Sequence, residues 1–231
     1  MTNIHLIGGE KGGVGKSLVA RLLAQYCIDQ GIPFIGFDSD RTHAALLRFY
    51  AGYASPILMD NYESLDAIVE AATENPERRI VVDLAAQTNE GLTQWMDDSQ
   101  LLEVAPEIGL NIRYWHVMDS GRDSVDLLKR LLDRHGTKFN YTLVLNHVHG
   151  SDFRILDHSG EKERAIAMGA GVVTLKRLHQ TSMNKIDASS MSFWAVANIS
   201  DGDTGGLRLL ERQRVQVWLK NAYTEIAKPG V

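Results

Sequence analysis

The 231-residue chain has one cysteine, Cys27, so it cannot form an internal disulfide, and a lone thiol falls short of any standard zinc or iron–sulfur site unless subunits share it. A reducing compartment is expected. Nowhere are there about 18 consecutive apolar residues, the length a membrane-spanning helix needs. The first apolar run starts at Asn3 with no basic n-region or long apolar h-region ahead of it, so no secretory leader is read there and the expected location is cytoplasmic. Positive charge is in deficit. The net charge of −5 disfavours a protein that coats nucleic acid uniformly, although a local basic patch is compatible with it. No G-x-S-x-G elbow and no H-E-x-x-H occur, so nucleophile-elbow hydrolase and zincin chemistry have no residues to stand on.

The chain does hold short apolar runs alternating with amphipathic ones. "NIHLIG", "PFIGFD", "RRIVVD", "NIRYWHVMD", "YTLVLN" and "GVVTL" are continuously apolar, as strands covered on both faces should be. Between them "SLVARLLAQYCIDQG", "SLDAIVEAA", "GLTQWMDDSQLLEVA" and "SVDLLKRLLDRHG" repeat apolar residues every three or four positions, and Gly marks several ends. The expected fold class is α/β, a doubly wound and mostly parallel sheet with helices on both faces. Length and composition fit one domain over 1–231, since no linker rich in Pro, Gly or Ser divides it. "ISDGDTGG" at 199–206 reads as a loop before a last helix at about 207–227. That helix carries Leu207, Leu210, Trp218, Leu219, Ala222 and Ile226 at core-facing spacing, with Arg208, Arg212, Arg214 and Lys220 elsewhere.

The loop after the first strand reads "EKGGVGKS". Gly12, Gly13 and Gly15, followed by Lys16 and Ser17 at a helix opening, suit a phosphate cradle. Glycines let backbone N–H groups close around phosphate oxygens, and the helix N-terminus adds unpaired donors. Lys16 would reach the β- and γ-phosphates and the Ser17 hydroxyl would ligate Mg²⁺. Gly12, Gly13, Val14, Gly15, Lys16, Ser17 and Leu18 form the expected ATP-binding set. The strict pattern G-x-x-x-x-G-K-[ST] fails, because Glu10 stands at its first position, and an ordinary loop of this type has no use for Lys11.

"KGGVGKS" at 11–17 does match, at every defined position, the deviant loop K-G-G-x-G-K-[ST] of the ParA/MinD group of P-loop ATPases, which the chain resembles over about residues 3–150. The resemblance implies that Lys11 crosses a nucleotide-sandwich dimer to the phosphates on the other subunit. It also implies ATP and Mg²⁺ as cofactors, an ATP-dependent homodimer and an activating protein partner.

Asp38 and Asp40 end the second strand run. Carboxylates two apart at a strand end can face one side, suiting a Mg²⁺ shell for Asp38 and orientation of an attacking water for Asp40. The family has Pro after this D-x-D, where Arg41 stands here; the competing role of Asp40 is a helix N-cap. Asp83 ends "RRIVVD" as a Walker-B acid would, making Ser17, Asp38 and Asp83 the expected metal set. Gln87 falls where relatives carry a second switch loop, and is either a γ-phosphate sensor or a plain loop residue. Asn146 ends "YTLVLN", where the family pairs an asparagine with the adenine edge; the alternative is a turn. His147 and His149 share a face only if that strand continues, and no third ligand stands at metal spacing.

"TLKRLHQTSMNKID", with Lys176 and Arg177, corresponds by order to the segment that covers the base in relatives. MinD-like relatives end in a basic membrane helix and ParA-like ones use C-terminal basic residues on DNA. Here Glu211 and Glu225 dilute the charge, so packing on the sheet is favoured over a DNA patch and a membrane anchor. The expected function is an ATP-hydrolysing dimerisation switch that positions a cargo in partition, conjugative transfer or complex placement. The alternative is a metabolic ligase or a metal-cofactor assembly ATPase on the same fold.

Overall fold

All six apolar runs form strands, and their residues alternate between two cores. The computed structural model describes residues 2–199 and 206–231. Strands β1 (Thr2–Gly8), β2 (Phe34–Asp38), β3 (Ala54–Pro56), β4 (Arg79–Asp83), β5 (Leu110–Met118), β6 (Asn140–Asn146) and β7 (Gly171–Leu175) make one parallel sheet of order β3-β2-β4-β1-β5-β6-β7. On β5, Ile112, Tyr114 and Met118 enter one core while Trp115 and Val117 enter the other. That period of two is what a strand covered on both sides requires.

The first core packs under α3 (Tyr62–Glu74), α4 (Asn89–Asp98), α6 (Arg122–His135) and the pair α7 (Arg154–Ser159) and α8 (Glu161–Ala167). The second lies under α1 (Lys16–Gln30), α2 (Ala45–Phe49), α9 (Gln180–Ser189), α10 (Phe193–Asn198) and α11 (Leu209–Ile226). Arg21 of α1 knits this face. Its guanidinium sits 3.5 Å from the Phe49 ring centroid and 4.8 Å from that of Phe193, with Asp187 Oδ1 at 2.9 Å. A cation between aromatic faces in a desolvated setting is worth about 2 kcal/mol.

Four features depart from the sequence expectation. The short edge strand β3 goes unannounced, because three residues ending in Pro56 carry no β signal and Pro is tolerated only at an edge. The helix expected over 91–105 breaks into α4 and α5 (Leu101–Val104), since Gln100 takes a left-handed φ of 48°. Leu210 is 67% exposed, not core-facing; the buried stripe of α11 is Val215, Trp218, Leu219, Ala222 and Ile226, which leaves Leu210 on another face. β6 stops at Asn146, and His147–His149 form a 3₁₀ turn, so the two histidines do not share a strand face. The expected loop at 199–206 lies outside the described residues except at its two ends. No helix among the described residues is long and apolar enough to cross a membrane.

Because β1 lies centrally, the chain runs outward to β2 and β3 on one side and to β5, β6 and β7 on the other. The loop after β1 therefore stands at the reversal point beyond the strand ends, where open parallel sheets bind ligands.

Candidate functional site

Gly13 and Gly15 hold φ of 78° and 96°, a region that side-chain-bearing residues rarely adopt. Gly15 caps α1 without any side-chain bond, which leaves the first amides of that helix unpaired and directed at the loop. A Cβ on Gly15 would stand 2.3 Å from Asn146 Nδ2, so the approach itself demands glycine.

The two lysines occupy different places. Lys16 is 7% exposed, and its Nζ donates to the Lys11 carbonyl at 3.0 Å, spanning the loop. Burial lowers its pKa, with the Asp83 and Asp40 charges opposing. Lys11 reaches instead to Asp119, just beyond the end of β5, with Nζ 3.1 Å from Oδ1 and 3.0 Å from Oδ2. Asp119 also accepts from the Ser124 hydroxyl at 2.6 Å and the Gly121 amide at 3.1 Å. Burial works to raise its carboxyl pKa, but the bonds from Ser124, Lys11 and Gly121 outweigh it and hold the group below the usual carboxylate range.

Asp38 and Asp83 are register partners on β2 and β4, 3% and 1% exposed. Asp38 accepts the Asp40 amide at 3.0 Å and the Leu47 amide at 3.2 Å. Neither carboxylate oxygen of Asp83 has a partner at full hydrogen-bond geometry, the Ser17 hydroxyl making a marginal contact. Burial first, and then the Asp38 charge, push Asp83 up to about 7, with Ser17 and Lys16 pulling the other way. A buried carboxylate with so little donation is costly by itself. Next to a second carboxylate, a hydroxyl and a lysine it suits a hard divalent cation, so the residues present fit Mg²⁺ with a phosphate ligand.

Asp40 stands apart from this pair. Its Oδ1 accepts the Thr42 and His43 amides at 2.8 and 3.0 Å, and Oδ2 lies 3.2 Å from His43 Nδ1. That is a local turn cap ahead of α2, whose N-cap is Ala44. Gln87 has a left-handed φ of 65° and lines an open cleft of about 560 Å³ with Ser39, Arg41 and Tyr62. Asn146 is 1% exposed and donates Nδ2 to the Val14 carbonyl at 2.7 Å, so its amide clasps the loop. It still lines a cavity of about 310 Å³ with Leu18, Arg21, Arg177, Met183 and Asp187, on the side where the sequence places a base.

Two participants escaped the sequence reading. Asp119 sits at the end of "NIRYWHVMD" and could have been suspected as one more acid at a strand's carboxyl end. Ser39 Oγ donates to the Asp83 carbonyl at 3.1 Å and accepts from the Ala85 amide at 2.8 Å, joining the loops after β2 and β4. A serine between two aspartates carries no pattern that reveals this.

Among curated proteins the chain is similar to protein MobD of Acidithiobacillus ferrooxidans, 30% identical over 135 residues, covering 57% of this chain and 58% of that one. It is also similar to protein TraL of Escherichia coli, 28% identical over 131 residues, 54% of each. The matches span little more than half the length of these relatives. Among solved structures, the septum site-determining protein MinD of Pyrococcus horikoshii, complexed with Mg-ADP, aligns with a TM-score of 0.52 and 18% identity over 99% of this chain and 97% of that one. No protein-family model matches the chain. The resemblance read from "KGGVGKS" extends to the whole architecture: the chain has the MinD-type P-loop fold.

Proposed function

We propose that this chain, with its MinD-type P-loop fold, is an ATP-hydrolysing switch that dimerises around two nucleotides to position a cellular cargo. The observation that carries the proposal is the separation of the two lysines. Lys16 fills the loop's own cradle, while Lys11 rests on Asp119, outside it. A monomeric ATPase has no need of the second lysine, whereas facing triphosphates in a partly dry interface repel and gain from each added cation.

Gly12, Gly13, Val14 and Gly15 offer backbone donors to the phosphates, Lys16 neutralises them, and Leu18 and Asn146 border the base cavity. Ser17, Asp38 and Asp83 would hold Mg²⁺, which when bound offsets charge on the phosphate oxygens. Asp40, released from its turn, would orient the attacking water. Partition, conjugative transfer and placement of a protein complex all remain within this reading. The MobD and TraL similarities support that general class, and an activating protein partner fits a resting site in which Lys11 and Asp40 are both engaged elsewhere.

Size exclusion with light scattering tests it. The Asp40→Ala chain should run as a dimer with ATP and shift towards monomer with ADP, and adding Lys11→Ala should abolish the dimer while nucleotide binding persists. One mass under all conditions would remove the switch. The alternative, phosphate transfer to a small substrate, would instead yield a phosphorylated product besides ADP and free phosphate.

A further inference from the structure

A second cavity, of about 220 Å³, opens on the opposite side of the loop from the base cavity, between α4 and α6. Its walls include Glu10, Asn89, Tyr114, His116, Arg130 and Arg134. His116, on β5, is 3% exposed, and neither ring nitrogen has a partner at full hydrogen-bond geometry, the Ser124 backbone making only a marginal contact with the ring. Buried polar groups of native proteins nearly always have a partner, so an imidazole without a well-formed one on a cavity wall points to a ligand. Burial, opposed in part by the nearby Ser124 backbone and aided by the Lys16 charge, lowers the His116 pKa to about 4. The ring is therefore neutral at pH 7 and presents one N–H donor and one lone pair.

Arg130 and Arg134 stand four residues apart on α6, hence on one face, and both are exposed. Among the described residues neither has an acidic partner, and Asp133 beside them is engaged by Arg164 at 2.6 Å. Two free guanidiniums over a buried imidazole donor outnumber the single rim carboxylate of Glu10. Guanidinium forks bind carboxylates bidentately.

We infer that this α4–α6 cavity binds a carboxylate, held by Arg130 and Arg134 at its mouth and by the His116 N–H at its base. The source is either an acidic side chain of a partner protein or a small free carboxylate. Glu10 directly precedes Lys11, and Asn89 opens α4 directly after the loop that follows β4, so an occupant touches the loop after β1 and the start of α4. The inference does not rest on the nucleotide reading.

The test is nitrogen-detected NMR of the His116 ring, assigned with His116→Gln, during titration with succinate and separately with a tetraglutamate peptide. The His116 signals should shift and saturate with a dissociation constant of about 1 mM or tighter. Arg130→Ala with Arg134→Ala, both on exposed positions, should weaken binding at least about tenfold, and Glu10→Gln should tighten it about threefold. A response to succinate assigns the site to a free carboxylate, and one to the peptide alone assigns it to a partner chain. Silence of His116 towards both probes would overturn the inference. So would unchanged affinity in the double arginine variant, or loss of binding in Lys16→Ala, which would place the anion in the phosphate loop.

Discussion

Lys11 and Asp119 meet through both carboxylate oxygens, 108 residues apart in sequence, so the lysine that distinguishes this loop is held by its own subunit. With the lysine side chain 30% exposed and the carboxylate 5% exposed, the pair is worth ~1 kcal/mol. In the proposed dimer, a facing triphosphate carries several times the charge of one aspartate and would displace it.

Asp119→Asn should therefore ease dimerisation. The ATP-bound dimer should form at about fivefold lower protein concentration, the equivalent of ~1 kcal/mol, with ATP affinity of the monomer unchanged. Sedimentation velocity across a dilution series reads both states. A weaker dimer would make Asp119 a contributor to the interface instead of a latch.

Lys16→Ala should remove ATP binding in calorimetry with Mg²⁺ present. The variant loses the ammonium bridging the loop as well as the proposed phosphate contact, so the Lys11 carbonyl also loses its donor. Undiminished affinity would move the nucleotide elsewhere.

At Asp40 the turn and the chemistry can be separated. Asn at this position still accepts the Thr42 and His43 amides but cannot take a proton. Asp40→Asn should bind ATP normally and turn it over at least about tenfold more slowly. Asp40→Ala should share that defect and also lower Tm by about 2–4 °C, as the lost cap is worth ~1 kcal/mol. Full turnover in the Asn variant would leave Asp40 as a turn residue only.

Asp83 makes the nucleotide-free protein pH-sensitive. Its folded pKa, about 7, lies above the ordinary carboxylate value of 3.8, so between these limits the folded state binds the more protons. The stability from this group is complete below about pH 4 and is lost as pH rises through about 7, at up to about 1.4 kcal/mol per pH unit. Urea melts at pH 5 and pH 8 should show that loss in the wild type, and Asp83→Asn should flatten it. Mg²⁺ with ATP should flatten it too, by binding the ionised form. An equal slope in the variant would place the titration elsewhere.

Asn146→Ala leaves the Val14 carbonyl buried without its donor, at a cost of about 1–3 kcal/mol. Both Tm and ATP affinity should fall together. A drop in Tm with unchanged affinity would mean that the clasp supports the fold and not the phosphate cradle.

What could be read from the sequence was whatever short-range pattern dictates. A buried parallel strand announces itself by an unbroken apolar run, and the loop by glycines whose φ no other residue adopts easily; hence six strands and the "KGGVGKS" cradle were visible. The edge strand Ala54–Pro56 was not, since its pairing with β2 comes from tertiary placement. Leu210 misled because apolar character alone does not fix a helix face, and Val215 sets the true stripe. Within the site, Asp38 and Asp83 were legible as strand-end acids, but not their side-by-side register. The Lys11–Asp119 pair and the Asn146 clasp on Val14 join residues more than 100 positions apart, and no local pattern encodes them.

Ser39 bridges the carbonyl of Asp83 and the amide of Ala85, adding one side-chain rung to the β2–β4 ladder where the strands themselves have ended. The loops bearing Asp40 and Gln87 are thereby geared to one another: a displacement of either strains a bond to the other. The Ala85 amide should exchange with deuterium slowly at rest and speed up whenever the two loops uncouple, so a single backbone hydrogen reports the gear engaging and slipping.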